Sequence, residues 1–236
     1  RAYRIFTCLM GLSWLILTFT LALRWIINGT IPIANGYETM LLLSWLIMIV
    51  SILTTYKMQL MTTFGLLMSG FMLLVSHLGE MDPSITPRMP VLNSPLLSIH
   101  VSIIMISYAL FSLTFICAIA YFLTYRSKKV NIIQTNKQLT TLSQIFLYPA
   151  ITTLGLGIFI GAIWANISWG TYWGWDPKET WALITLMVYA IVLHKQSLPT
   201  FRKPLNYHLY MIIAFLSILM TYFGVNYVLG GMHSYA

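Results

Sequence analysis

The segment 164–181, WANISWGTYWGWDPKETW, concentrates the side chains best suited to holding a large flat apolar ligand. It contains five of the chain's eight tryptophans, together with Tyr172. The simpler interpretation is an interfacial belt that anchors helix ends in a lipid bilayer. A belt, however, distributes its rings over both membrane faces. These rings fall in one stretch and are interleaved with Gly170 and Gly174, which allow close backbone approach. We therefore predict an aromatic binding surface, with the lipid belt as the alternative.

The same segment contains the start of a helix. Asp176 at the N-cap position, Pro177 at the first helical position and Glu179 three residues after the cap form a capping-box pattern. The pattern predicts that a helix begins directly after the tryptophans. The aromatic surface would then be joined to a rigid element.

The sequence on both sides of the tryptophan segment is typical of membrane helices. The chain has 236 residues, of which 58% are hydrophobic and only 8% charged, whereas a soluble domain is about a quarter charged. Its apolar runs are continuous, as in spanning helices of roughly 20 residues, and do not alternate as barrel strands do. The sequence predicts an all-α integral membrane protein, with residues 1–236 forming a single bundle of about seven transmembrane helices. The predicted spans are 3–27, 39–56, 58–79, 98–125, 145–165, 181–195 and 207–229.

The basic residues predict the orientation, with the N-terminus inside and the C-terminus outside. In this orientation the inner side carries most of the thirteen basic residues and none of the five acidic ones. The asymmetry accounts for the net charge of +8, so nucleic-acid binding is not needed to explain it. The inner basic residues are Arg1, Arg4, Lys57, Arg126, Lys128, Lys129, Lys137, Lys195, Arg202 and Lys203. The outer side receives the segments 28–38, 80–97 and 166–180 and the tail 230–236.

Histidines are the second group of candidate ligands. The predicted topology places His100 and His233 on the outer side, with the tryptophans. Neutral imidazoles are common axial ligands for heme iron, although a single histidine at a membrane edge is usually an interfacial polar residue. His194, near the inner end of the sixth span, is either an interfacial residue or an intramembrane ligand on a transport path. His77 and His208 are interpreted as interfacial.

At WGTYWGWDPKETWALI the sequence resembles the WWD signature of heme-handling membrane proteins. The whole chain is similar to the CcsA-type half of the system II cytochrome c synthase, which occurs alone or fused as CcsBA. Three further stretches carry the resemblance: PIANGYETMLLLSW at 32–45, PVLNSPLLSIHVSIIMISYALF at 90–111 and GVNYVLGGMHSY at 224–235. By this resemblance the chain is a fragment or the C-terminal half of a longer protein.

The resemblance also implies the site residues. His100 and His233 match the two outer histidines that ligate heme iron. His194 matches the family's transmembrane histidine, which is proposed to pass heme up from the inner side. The companion transmembrane histidine belongs to the CcsB half in the family. The residues that match the WWD positions at the heme edge are Trp169, Trp173, Trp175 and Asp176.

The implied function is heme transport, presentation of ferrous heme b on the outer face, and its covalent attachment to the CxxCH motif of apocytochrome c. This is the activity of a cytochrome c heme lyase, in which the substrate's own thiols add across the heme vinyl groups. No residue of the chain is assigned as catalytic. The implied partners are apocytochrome c, a fused or separate CcsB half, thiol-reducing proteins and membrane lipid. The implied location is the bacterial inner membrane, with the active face toward the periplasm, or the thylakoid membrane.

Two other function classes remain open. A related WWD protein would hand heme to a chaperone without forming thioethers, and the WWD block alone fits both activities. A transporter or quinone-linked subunit would more often show paired charges or broken helices at mid-membrane, which we do not find in this sequence.

Overall fold

The computed structural model describes residues 2–33, 35–56, 58–78, 81–85, 94–127 and 129–229. Within these ranges the chain is mainly helical and contains no β-strand. The α-helices are α1 (Ala2–Asn28), α2 (Gly36–Thr55), α3 (Leu60–Leu78), α4 (Pro95–Thr124), α5 (Val130–Trp169), α6 (Pro177–Ala190) and α7 (Pro204–Leu219). They are accompanied by 3-10 helices at Ile191–His194 and Pro199–Arg202 and by a π-helix at Met220–Leu229 that continues α7.

Six of the helices, α1 to α5 and α7 with part of its π-helical continuation, are long and apolar enough to cross a membrane. The predicted fold class is therefore confirmed as an all-α integral membrane protein, with six candidate spans in the described residues where about seven were predicted. The orientation, with the N-terminus inside and the C-terminus outside, stays a prediction. Its contacts divide it into two compact units, Arg1–Ala109 and Leu110–Ala236, with the division inside α4. A single bundle over residues 1–236 stays a prediction.

In the first unit, α2 and α3 form a tight antiparallel hairpin lined with small polar residues. The Ser44 hydroxyl donates to the Ser69 carbonyl at 3.1 Å, and the Thr55 and Thr62 hydroxyls lie 3.0 Å apart. A Cβ added at Gly65 would lie 2.5 Å from Ser51. Small side chains let two membrane helices approach closely, and paired hydroxyls satisfy each other where water is absent.

In the second unit, polar side chains also bond in pairs across the helix interfaces. The Tyr207 hydroxyl lies 2.8 Å from that of Ser143, and the Thr185 and Thr221 hydroxyls lie 2.9 Å apart. His208 is 0% exposed, with its ring stacked on Tyr121 and its Nε2 3.0 Å from the Thr140 hydroxyl. His208 is therefore enclosed by packing between helices, and its position at the membrane interface stays a prediction.

Helix α5 is much longer than its predicted span, whereas α6 differs in position and begins at Pro177, before the predicted residue 181. Helix α5 has 40 residues and begins at Val130, well before the predicted residue 145. It rises roughly 60 Å, about twice the hydrocarbon thickness of a bilayer. Its first part lies outside the predicted span, yet Asn136 is buried there and accepts a hydrogen bond from Thr124 at 2.7 Å. Helix α6 has only 14 residues, and the 3-10 helix Ile191–His194 extends it to the position of His194.

Candidate functional site

The tryptophan loop, residues 169–176, begins where α5 ends. Gly170 has a left-handed backbone with φ 78°, and its N–H donates to the Asn166 carbonyl at 2.9 Å. Only glycine adopts this conformation without a steric penalty, and the hydrogen bond closes the last turn of the helix. Trp169, the final helical residue, packs edge to face with the buried Trp164, with ring centroids 4.8 Å apart. The first tryptophan of the loop is thus held by the body of α5.

Trp173 and Trp175 form a second aromatic pair within the loop. Their ring centroids are 5.9 Å apart and their planes are nearly perpendicular, at 88°. Trp173 is partly buried, whereas Trp175 is 71% exposed. An indole presents a large, rigid apolar surface, and aromatic pairs favour this edge-to-face arrangement. The loop therefore offers one freely accessible indole braced by a second one.

Trp175 has a strained backbone. Its φ is 57°, and it is the only residue other than glycine with a positive φ in the part of the chain that the structure describes. For a bulky residue such a conformation costs about 1–3 kcal/mol and persists only where its surroundings enforce it. Those surroundings include Glu179, whose Oε2 accepts hydrogen bonds from the N–H of Gly174 at 2.9 Å and of Asp176 at 3.3 Å. The carboxylate thus bonds the peptide N–H groups of both residues adjacent to Trp175.

The helix start after the loop confirms the capping-box prediction. Asp176 is the N-cap of α6, and its Oδ2 accepts a hydrogen bond from the Lys178 N–H at 3.1 Å. Pro177 occupies the first turn, and Glu179 returns a bond to the N-cap backbone. Both carboxylates lie at the helix N-terminus, where the helix dipole favours negative charge. Asp176 is only 6% exposed, so its structural role is to anchor the loop to α6.

Lys178 joins the same helix start to the π-helix. Its ammonium donates to the Asn226 Oδ1 at 2.9 Å. Burial lowers the pKa of Lys178 from its ordinary 10.5 to about 8, although the neighbouring Asp176 charge opposes this shift. Asn226 belongs to the π-helix Met220–Leu229, which precedes the C-terminal tail, and π-helical segments occur frequently at functional sites.

The lowered pKa of Lys178 predicts a pH-dependent stability. Between about pH 8 and about pH 10 the unfolded chain binds a proton at Lys178 that the native protein has released, so stability should rise with pH. Lys178→Met should remove this part of the rise. Melting temperatures of the purified protein at both ends of that range measure it, with the exposed Lys203→Met as control. An equal rise in wild type and Lys178→Met would contradict the prediction.

The predicted histidine ligands lie at three separate places in the chain. His100 is partly buried near the start of α4, in the first unit, and His233 lies outside the described residues. His194 ends the 3-10 helix that follows α6, and its side chain is exposed. The exposed His77 lies in the last turn of α3. A joint site of His100, His233 and the tryptophan loop stays a prediction, whereas Trp173, Trp175 and Asp176 are brought together in one loop.

Residues 82–83 are held within the first unit by Arg24, which also forms an ion pair with the buried Glu38. Arg24 Nε lies 3.2 Å from Glu38 Oε1, and the same guanidinium donates to the Pro83 carbonyl at 2.7 Å. Asn35, the N-cap of α2, donates to the Asp82 carbonyl at 3.3 Å. These contacts fasten residues 82–83 to the adjoining ends of α1 and α2.

Next to His194, Lys195 lines a shallow cavity of about 300 Å³ in the second unit. The other lining residues are Gln144, Gln196, Phe201 and Arg202. Two cations and two amides in one depression provide hydrogen-bond donors for an anionic group.

Comparison with known proteins supports the family resemblance. The model of the cytochrome C assembly protein family matches residues 33–233. The chain is 39% identical over 231 residues to NrfI of Wolinella succinogenes, covering 95% of this chain and 26% of that protein. It is 30% identical over 254 residues to the cytochrome c biogenesis protein CcsA of Guillardia theta, covering 95% of this chain and 83% of that protein.

A second CcsA, from Chlamydomonas reinhardtii, is 33% identical over 240 residues, with 96% of this chain and 67% of that protein covered. The chain thus spans most of the length of these CcsA proteins and about a quarter of NrfI. On the family match and on its coverage of CcsA, the chain belongs to the cytochrome c assembly protein family as a CcsA-type member.

Proposed function

We propose that this chain binds heme on the outer membrane face and presents it to apocytochrome c for covalent attachment. The observation that carries the proposal is the exposed indole of Trp175, braced by Trp173 on a capped and rigid loop. In a protein of the cytochrome c assembly family, a fixed flat apolar surface of this kind suits the edge of a porphyrin. Heme b, in its ferrous form, is here the substrate.

The tryptophan loop has the properties that such a substrate needs. Trp169, Trp173 and Trp175 supply apolar ring surface, and glycines at 170 and 174 leave the loop uncrowded by side chains. Asp176 is buried and bonded at the start of α6, so we assign it to supporting the heme edge through the loop. Asp176 is not assigned a role as a proton donor.

The iron would be held by His100 and His233, one imidazole on each side of the porphyrin. This assignment requires the orientation that the basic residues favour, with the N-terminus inside and the C-terminus outside. Both histidines and the tryptophan loop then lie on the outer face. Arg24, which pairs with Glu38, donates to the Pro83 carbonyl, and residues 82–83 precede the helix that carries His100.

The covalent step needs no nucleophile from this chain. Each thiol of the CxxCH motif adds across one vinyl group, so that sulfur bonds to the carbon next to the ring and the thiol hydrogen goes to the terminal carbon. Nothing is oxidised or reduced in this addition. Holding the vinyl edge against the two cysteines supplies the proximity and orientation that can account for much of the rate.

On the inner side, we propose His194 as a ligand on the route by which heme reaches the outer face. The neighbouring cations Lys195 and Arg202, which line one depression, would bind the carboxylate groups of an entering heme. The proposed partners are apocytochrome c, a fused or separate CcsB half, thiol-reducing proteins and membrane lipid. The proposed location is the bacterial inner membrane or the thylakoid membrane.

An optical spectrum of the purified full-length protein with its membrane partner tests the proposal. We expect the absorption of low-spin heme with two imidazole ligands. Adding a reduced CxxCH peptide should then yield heme that stays on the peptide after acid extraction. Heme that leaves the protein without covalent attachment would favour the alternative of a heme-delivery protein. A preparation without heme, unable to bind added heme, would overturn the proposal.

A further inference from the structure

Trp175 is unusual because it is both strained and exposed. A φ of 57° is energetically unfavourable for a bulky residue. Because the Trp175 side chain is 71% exposed, packing contributes little stabilisation to offset this strain. Exposed loops ordinarily relax such strain. A conformation of this kind persists only where neighbouring groups enforce it, and it is commonly part of a functional site.

The group that enforces it is the Glu179 carboxylate. Its Oε2 accepts from Gly174 N–H at 2.9 Å and from Asp176 N–H at 3.3 Å, so a single oxygen bonds the residue before Trp175 and the residue after it. The Thr180 hydroxyl donates to the Trp175 carbonyl at 3.4 Å. An ordinary capping box needs only the bond to Asp176 N–H. The bond to Gly174 is additional, and it bends the chain around Trp175.

We infer that Glu179 is a positioning residue that holds Trp175 in its left-handed conformation and so presents the exposed indole as a fixed surface to the heme. The inference rests on the proposed function of the tryptophan loop. Glu179 acts through Trp175 and does not itself contact the substrate. The carboxylate is held in turn by α6, whose N-terminus is anchored by the Lys178–Asn226 hydrogen bond.

A double-mutant cycle on the full-length protein with its membrane partner tests this inference. Heme binding is measured by titration for wild type, Glu179→Ala, Trp175→Ala and the double variant. Glu179→Ala should weaken heme binding about tenfold, a loss of the size expected when a strained conformation is released. In the Trp175→Ala background the same change should have less than about a twofold effect, because no indole remains to be positioned.

Two further variants separate positioning from helix capping. Glu179→Gln keeps an oxygen that can accept both N–H groups, so it should restore most of the binding lost in Glu179→Ala. Thr135→Ala removes an exposed side-chain hydrogen bond near the start of another helix, α5, where the Thr135 hydroxyl donates to the Asn131 carbonyl at 2.9 Å, and should leave heme binding unchanged. In Glu179→Ala the absorption of the remaining heme should keep its low-spin form, since neither proposed axial ligand is altered.

The outcomes are distinguishable. Equal losses from Glu179→Ala in both backgrounds would show that Glu179 only stabilises α6, and the inference would be overturned. Full heme binding by Glu179→Ala would overturn it as well. Failure of the wild-type protein to bind heme would instead overturn the proposed function.

Discussion

Replacing His100 or His233 with glycine is expected to stop most cytochrome c maturation, and exogenous imidazole is expected to restore part of it. Loss of a residue that merely orients a metal ligand commonly costs 10–100-fold in affinity or activity. Removing a direct axial ligand should therefore reduce the yield of mature cytochrome c by at least about tenfold. Glycine leaves a space that imidazole at millimolar concentration can enter to bind the iron.

The measurement is the amount of covalently bound heme in a reporter cytochrome c, with and without imidazole, together with the spectrum of the purified variant. His77→Gly is the matched control, because His77 is exposed at the end of α3 and corresponds to no predicted ligand. It should mature cytochrome c normally. Full activity of both His100→Gly and His233→Gly without imidazole would show that neither is an axial ligand. The heme proposal would then depend on the tryptophan loop alone.

Local sequence patterns predicted the helical fold and the support of the loop. Continuous apolar runs indicated the spanning helices, because a bilayer leaves few alternatives to a helix for backbone groups. The order Asp176, Pro177, Glu179 predicted the start of α6, and the structure confirms the reciprocal capping bonds. These features depend on residues that are close together in the sequence, so the sequence expresses them directly.

The features that the sequence did not reveal depend on contacts between distant residues or on backbone angles. Helix α5 extends to Val130 because its polar first part packs Asn136 against the end of α4, a contact that hydropathy does not register. Lys178 bonds Asn226, 48 residues away. The left-handed conformation of Trp175 had no signal, since tryptophan is not a residue type that favours it. Glu179 was predicted only as a cap, and its second bond to Gly174 follows from that conformation.

Trp173→Ala is expected to lose cytochrome c maturation in a manner that imidazole does not repair. The Trp173 indole packs edge to face with Trp175, with ring centroids 5.9 Å apart. Removing Trp173 therefore removes both its own apolar surface and the support that it gives to Trp175. Aromatic pairs contribute about 0.5–1.5 kcal/mol beyond the surface they bury. Because Trp173→Ala loses both this pair contribution and the apolar surface of the indole, we expect heme binding to weaken about tenfold or more. Imidazole supplies an iron ligand and no flat support for the porphyrin edge.

Two further variants, Trp173→Phe and Trp25→Ala, serve as controls for Trp173→Ala. Trp173→Phe keeps a flat ring and should retain a substantial part of the activity lost in Trp173→Ala. Trp25→Ala removes an exposed indole near the end of α1, outside the tryptophan loop, and should leave maturation unchanged. If imidazole rescued Trp173→Ala to the same extent as the histidine variants, the role of the indole would be to support iron coordination and not to contact the porphyrin edge. If Trp173→Ala and Trp25→Ala were equally harmless, the lipid-belt interpretation of these tryptophans would be the correct one.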